Sequence, residues 1–416
     1  MSAIYWTGAA QTVKNLNKHV VIDMIRFTPG GVARAELARM MGLTRAAVSV
    51  IISDLVSSGL VREAEAHHVG GRKPIVLEIN PDLGYVVGID MGATHVTLIL
   101  TDFSGREIQV LDAPFNIVEG PQICLAQLDH HFKTLLEKAG LELPQINAIG
   151  IGVPGPVVEE AGMVSGPPIM PGWDSFPIRD YLQQLWNCHV SLSNDADLGA
   201  LGEWAYGAAR NERNIAYIKV GTGIGCGILI NGQIYNGVTG SAGEIGHVTI
   251  DENGPVCQCG NRGCLEAVAG GRAIASRAIE AIHKGQRTQL AEIQPIEQIS
   301  SRDVISAARR GDLFAQHLMM ETGSHLGTAV ASLVNVLNPG MVIIGGGVSQ
   351  IGDLLLEPIR QAVQQRSLRV ASRAVRITVA LLGRRSSGMG AVVQALSYSL
   401  HQAVDKVDKE VIQIIN

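Results

Sequence analysis

The sequence predicts an α/β protein of two unlike regions, a small winged helix-turn-helix at the N-terminus and a large, internally duplicated α/β region after it. Three observations carry that prediction. Helical periodicity is punctuated by turn and cap residues in the first segment; two Gly-rich strand-turn-strand stretches recur about 130 residues apart; and three cysteines crowd into the eight residues from Cys257 to Cys264.

Size and composition bound the reading. With 416 residues, a prior of ~150 residues per domain suggests two or three domains. Hydrophobic residues at 46%, charged residues at 17% and 48 glycines exclude a disordered or collagen-like chain, for which apolar content is low or glycine strictly periodic. The longest apolar runs, such as Met341 to Ile344, fall far short of the ~18 residues of a membrane span. No apolar stretch followed by a small-residue cleavage site occurs near the start, so a cytoplasmic location without membrane insertion is expected. The formal net charge is −5, but residues 1–82 carry nine Lys/Arg and seven Asp/Glu, a local +2 that leaves −7 on the remainder. This change of sign near Pro81 marks a boundary, and the regions expected are 1–82, 83–198, 199–384 and a C-terminal helix with a tail over 385–416.

In the first segment Leu16, Val20, Val21, Met24 and Ile25 recur at helical spacing and end before Thr28-Pro29-Gly30-Gly31. A second helix is expected from about Ala33 to Met41, with Gly42 as the turn and Thr44 as the cap of a third helix reaching Ser57. Burying Val48, Ile51, Ile52 and Leu55 leaves Thr44, Arg45, Ala46, Ser49 and Ser53 outward, where base edges of a major groove can be met. Leu60 to Glu65 and Ile75 to Glu78 read as a hairpin whose tip holds Gly70-Gly71-Arg72-Lys73-Pro74. Arg72 and Lys73 are the residues that would enter a minor groove or neutralise phosphates. The bland alternative is a three-helix packing module.

In the large region, Tyr85 to Thr94 leads into Val96 to Leu100, and Ile215 to Val220 leads through Gly221-Thr222-Gly223-Ile224-Gly225 into Cys226 to Ile230. Glycines in such turns let backbone N–H groups face a phosphate or sugar oxygen without a Cβ in the way. Two similar hairpins predict a duplicated fold with a cleft between its halves. Met341 to Ile344 followed by Gly345-Gly346-Gly347 adds a third strand and Gly-rich turn, expected to face a nucleotide. Val190 to Ser193 reads as a strand delivering Asn194-Asp195 at its C-terminal end, where ligands of open α/β sheets gather, although Asn-Asp at a strand end is often only a turn. Six cysteines in an intracellular chain argue against a disulfide framework, and Cys257, Cys259 and Cys264 have the spacing of metal ligands. Cys124 and Cys188 read as core residues, and Asp405 to Glu410 as an exposed extension.

The order of these motifs resembles the ROK family (repressors, open reading frames and sugar kinases), within the larger actin-like, hexokinase-like ATPase fold. Its most specific element is Gly243-Glu244-Ile245-Gly246-His247 followed by Cys257-Gln258-Cys259-Gly260-Asn261-Arg262-Gly263-Cys264-Leu265-Glu266, and the N-terminal winged helix matches the repressor branch. The resemblance implies structural Zn²⁺ on His247, Cys257, Cys259 and Cys264; three thiolates and one imidazole close a tetrahedral shell and leave no open position. It implies sugar contacts from Gly155, Asn194, Asp195, Glu244, His247 and Glu266. Nucleotide contacts, vestigial if kinase activity is lost, would come from Asp90, Gly92, Thr94, Gly221, Thr222, Gly223, Gly345 and Gly346.

Two functions remain open at this stage. In the first, operator affinity is set by a monosaccharide or sugar phosphate in a kinase-like cleft, with the chain a homodimer or tetramer on DNA and, as in some family repressors, a transporter component as a further partner. In the second the chain is a sugar kinase using ATP and Mg²⁺, with Asp195 as general base. Ala93 and Cys226 stand where the kinases have glycines and His95 where they often have a long basic residue, but no catalytic group is missing.

Overall fold

A computed structural model of the chain describes residues 13–65, 75–167 and 169–415. The N-terminal unit begins with α1 (Val13–Phe27), α2 (Arg34–Met41) and α3 (Arg45–Ser57). Gly42 ends α2 in the left-handed region at φ +66°, where an L side chain is strained, and its N–H returns to the carbonyls of Ala38 and Arg39. Thr44 then starts α3 by accepting the Ala47 N–H on its hydroxyl. The chain axis turns by 119° between the two helices, within the range of a helix-turn-helix. Val48, Ile51, Ile52 and Leu55 of α3 are buried, Thr44, Arg45, Ala46 and Ser53 are exposed and Ser49 is half-buried. Strands β1 (Val61–Glu65) and β2 (Ile75–Ile79) pair antiparallel; Arg72 and Lys73, expected at the tip between them, lie outside the described residues.

The large region is built twice over on one plan. Its first half runs β3 (Tyr85–Met91), β4 (His95–Asp102), β5 (Glu107–Pro114), α4 (Pro121–Ala139), β6 (Ile146–Val153), the short pair β7 (Val157–Val158) and β8 (Met163–Val164), α5 (Ile178–Trp186), β9 (His189–Asn194) and α6 (Asp195–Ala205). The second half runs β10 (Ile215–Val220), β11 (Ile224–Ile230), β12 (Gln233–Ile234), α7 (Leu265–Ala269), α8 (Gly271–His283), α9 (Ser301–Arg309), α10 (Leu313–Leu337), β13 (Met341–Gly345), α11 (Asp353–Arg366), α12 (Arg369–Ala374) and β14 (Arg376–Val379). The sheet orders are β5-β4-β3-β6-β9 and β12-β11-β10-β13-β14. In each, three antiparallel strands occupy the centre and one edge, and two parallel strands follow on the other side. Buried aliphatic runs such as Val86–Val87 and Val342–Ile343–Ile344 fit central strands covered on both faces.

The chain closes with α13 (Ser386–Ile415), which packs with α6 between the two sheets and reaches α1 of the N-terminal unit. α6 runs unbroken across 198/199, so the break expected there does not exist: that helix belongs to the joint between the halves. Val21, Ile22 and Ile25 of α1, Val48 and Ile52 of α3, Val86 and Ala148 of the first sheet, and Val392, Leu396 and Leu400 of α13 form one continuous core. The N-terminal unit is therefore seated on the first half by packing rather than hung from a linker. The extension expected at Asp405 is corrected on the same grounds: Asp405 lies within α13, and its carboxylate sits 3.0 Å from His19 Nε2, because an aliphatic stripe continuing through Val404 and Val407 keeps the helix docked. Among the described residues no single helix is long and apolar enough to cross a membrane.

Two half-buried imidazoles give the fold a pH dependence. His189 stacks on Tyr398 of α13, and burial together with nearby Arg179 pushes it down to about 4. Burial and the Lys219 charge do the same to His95, also to about 4. Both stay neutral in the fold, whereas an unfolded histidine protonates near ~6.5. The stability they contribute is present above that value and is lost as pH falls through the window down to about 4. The melting midpoint should decline over that window, and His189→Gln should flatten the decline; an unchanged slope in the variant would reject this assignment.

Candidate functional site

The two halves face each other across a cleft of about 350 Å³ lined at its walls by the turns of both hairpins. From the first half come Gly92 and Thr94 of the β3–β4 turn, Gly155 after β6, and Asn194 and Asp195 at the β9–α6 junction; from the second come Gly221, Thr222 and Gly223 of the β10–β11 turn, with Glu244, His247 and Glu266. The structure thus brings together every sugar-contact residue expected from the sequence and five of the eight nucleotide-contact residues. The other three lie elsewhere. Asp90 is buried beneath the wall at 1% exposure. Gly345 and Gly346 are packed behind it: a Cβ on Gly345 would stand 2.2 Å from the Tyr217 hydroxyl and one on Gly346 2.4 Å from the Val220 carbonyl. Those two glycines allow the close approach of β10.

Each cleft side chain has a local reason for its position. Asn194 caps α6, its carbonyl oxygen accepting the N–H groups of Ala196 and Asp197 while its amide donates to the Gly155 carbonyl at 2.9 Å. It holds the Gly155 loop against the helix start. Glu266, in the first turn of α7, accepts the Ile224 N–H at 2.9 Å, and only a glycine at 223 leaves room, since a Cβ there would meet that carboxylate at 2.1 Å. Glu244 follows Gly243, whose φ of +87° turns the chain so tightly that a Cβ would lie 1.8 Å from the Cys226 carbonyl. Burial holds the Glu244 carboxyl above its ordinary value, opposed by His247. Glu159 and Asp197, also buried near this wall, are raised for the same first reason, and Asp197 strongly so.

At the floor of the cleft lies a charged group that the sequence analysis missed. Lys219, near the end of β10, places its ammonium 2.8 Å from Asp195 Oδ2, 3.1 Å from Asp90 Oδ1 and 3.0 Å from Ser387 Oγ at the start of α13. Burial alone would lower its pKa, but the two carboxylates outweigh it and hold the group above its ordinary value. Asp195 is raised by its own burial, against the pull of Lys219. The signal available in the sequence was a lone charge within the apolar strand Ile215–Val220.

Beside Glu244 and Glu266, one imidazole and three thiols converge. The donor atoms of His247, Cys257, Cys259 and Cys264 all lie within 4.8 Å of one another. Cys259 Sγ to Cys264 Sγ and Cys257 Sγ to His247 Nδ1 are each 3.7 Å, and a tetrahedral ion with metal–sulfur bonds of ~2.3 Å requires edges of about that length. The four residues can hold a metal ion. Nδ1 is the ring nitrogen turned to the thiols, and Nε2 lies 3.9 Å from Glu244 Oε2. Gly260 and Gly263, at φ +92° and +67°, let the loop fold back on itself.

Comparisons with known proteins agree with this architecture. The family model described as "ROK family" matches residues 86–397. The xylose repressor of Caldicellulosiruptor bescii is 33% identical over 391 residues, covering 94% of this chain and 98% of that one. A glucokinase of Halalkalibacterium halodurans is 35% identical over 308 residues, covering 74% of this chain and 93% of its own. Among solved structures, a ROK family transcriptional regulator described as a homologue of the Escherichia coli MLC protein superposes with a TM-score of 0.78 at 26% identity, covering 96% of this chain and 99% of that one. A family match over three quarters of the residues and a repressor relative aligned along nearly its full length lead to one conclusion: the chain belongs to the ROK family.

Proposed function

We propose that this protein is a sugar-responsive transcriptional repressor: a winged helix-turn-helix binds operator DNA, and a monosaccharide in the kinase-like cleft changes that affinity. The observation that carries the reading is the difference in coverage between relatives. The xylose repressor aligns over 94% of the chain and the glucokinase over 74%, and the difference matches the N-terminal unit, whose capped α3 presents Arg45, Ala46 and Ser53 to solvent. Arg45 and its neighbours read base edges, with Arg72 and Lys73 of the wing on phosphates or the minor groove. Gly155, Asn194, Asp195, Glu244, His247 and Glu266 surround the sugar. Zn²⁺ closes the Cys₃His set as a structural ion. Two half-sites one helical turn apart require at least a dimer, in the cytoplasm with the DNA. A transporter component as a partner fits the same reading.

The cleft is formed by two halves that share α6 and α13, and α13 continues to α1 of the N-terminal unit. Sugar binding that favours one arrangement of the halves therefore acts on the DNA-binding unit through a packed helix. The test is operator binding by the full chain with and without saturating D-xylose and other monosaccharides. The active sugar should weaken operator binding by about 5–150-fold, the usual span of allosteric coupling, and Arg45→Ala should weaken it about tenfold at any sugar concentration. Equal operator affinity with and without every sugar tried would remove the reading. Sustained sugar-dependent ADP release would put the kinase in its place, for which the glucokinase relative and the shared cleft speak.

A further inference from the structure

The Mg²⁺ and ATP of a kinase of this fold require a carboxylate site open to a divalent ion. The residues present do not fit that requirement. Lys219 comes from the second sheet, Asp90 from β3, Asp195 from the start of α6 and Ser387 from the start of α13, so all four elements that meet under the cleft converge on one ammonium. An ammonium has three N–H donors, and here three partners take them: Asp195 at 2.8 Å, Asp90 at 3.1 Å and Ser387 at 3.0 Å. Ser387 in turn donates to the Asp195 carbonyl at 2.7 Å, which fixes the arrangement from the helix side. The Lys219 side chain is 15% exposed, with Asp90 at 2% and Asp195 at 13%. A divalent ion joining the same two carboxylates would have to stand beside a fixed positive charge. At the first hairpin turn the His95 ring packs on Gly92, with ring atoms 3.1 and 3.3 Å from where a Cβ would lie.

We propose that the Lys219 ammonium takes the place of the metal, so that the cleft is a nucleotide-independent receptor for an uncharged monosaccharide, with Asp195, fixed by its contact to Lys219, as a hydrogen-bond acceptor for a sugar hydroxyl. The absence of a phosphate on the sugar follows from the same charges. Of the described residues lining the cleft, Asp195, Glu244 and Glu266 bring carboxylates, no arginine lines it, and Lys219, its one lysine, is committed to the acids below. A phosphate ester would enter a site of its own sign. This inference deepens the sensor reading and rests on it for the sugar, but its metal and nucleotide half stands by itself.

The test uses the full-length, zinc-loaded protein. Mn²⁺·AMPPNP binding is read by electron paramagnetic resonance in the wild type, in Lys219→Met, and in the charge-balanced Asp90→Asn/Lys219→Met should the single variant not fold. The wild type should bind no Mn²⁺·AMPPNP. Lys219→Met should bind Mn²⁺ more than about tenfold better than the wild type, and the double variant, which lacks one of the two carboxylates, should fold without recovering that gain. The monosaccharide that raises the melting midpoint should do so equally with and without Mg²⁺·AMPPNP, and its phosphate ester should not raise it. Binding of Mn²⁺·AMPPNP by the wild type, failure of a folded Lys219→Met to gain Mn²⁺, or a shift produced only by the ester would each overturn the proposal. Failure of the repressor reading is separate: it would show as an operator affinity indifferent to sugar while the metal result is unaffected.

Discussion

Cys264→Ser is expected to release the zinc, lower the melting midpoint by roughly 10 °C and weaken sugar binding by about 10–100-fold. Cys264 is fully buried and immediately precedes α7, so an ion held by the Cys₃His set would join that helix start to the 3₁₀ turn of Ile245–His247. Such a clip resembles a disulfide in closing a loop, and losing a native one costs ~2–5 kcal/mol; at ~2–4 °C per kcal/mol for a unit of this size, the midpoint falls by the stated amount. The effect on sugar comes from position. Glu266 stands two residues beyond Cys264 and accepts the Ile224 N–H of the facing hairpin, while Glu244 stands three residues before His247, so both carboxylates lose their anchor at once. Metal content, melting and sugar titration read the three consequences, and Cys188→Ser, whose thiol donates to the Ile146 carbonyl away from the cluster, is the control that keeps its zinc. A Cys264→Ser protein with one equivalent of zinc and an unshifted midpoint would refute the closed metal site.

Such dependence on position explains which parts of this molecule could be read from sequence. The turn at Gly42 and the cap at Thr44 depend on residues within one or two helical turns of each other, and local chemistry of that kind is written in the order of residue types. The convergence of three thiols within eight residues is local for the same reason. The paired hairpins were legible because their glycine turns repeat, and the strand-for-strand repetition of the two sheets follows from that. Lys219 was not legible as a partner of Asp90, because 129 residues separate them and only the closing of the two sheets around α6 and α13 brings the charges into contact. Gly345 and Gly346 are ambiguous in the sequence because a glycine at a strand end serves a ligand or a neighbouring strand equally well; in the structure the Tyr217 hydroxyl and the Val220 carbonyl fill the space that side chains there would need. Asp405 reads as solvated surface because nothing near it in sequence shows His19, 386 residues away.

Gly390→Val should be the most damaging single substitution away from the cleft, costing more than about 4 kcal/mol, a loss reached only when a core cannot relax. A Cβ at Gly390 of α13 would lie 1.7 Å from the Leu198 carbonyl of α6, and one at Gly202 of α6 would lie 2.1 Å from the Ser386 carbonyl. On its other side α13 touches the first sheet as closely: a Cβ at Gly88 would be 2.2 Å from the Gly388 carbonyl, and one at Gly150 2.2 Å from the Ala391 carbonyl. The atoms met are backbone, not the ends of flexible side chains, so added volume can be accommodated only by moving a helix off both a sheet and another helix. Displacing α13 also displaces Val392, Leu396 and Leu400, which pack under α1 and α3, and a folded remnant should show reduced coupling between sugar and operator. Gly347→Ala is the matched control, since nothing lies within 4 Å of its Cβ position, and it should change stability by less than about 0.5 kcal/mol. Denaturation of both variants, with operator titration in the presence and absence of the active sugar, checks the pair. A Gly390→Val protein as stable as the control would mean that the two halves are not held apart at the backbone distance of this seam, and that the route from cleft to DNA does not run through α13.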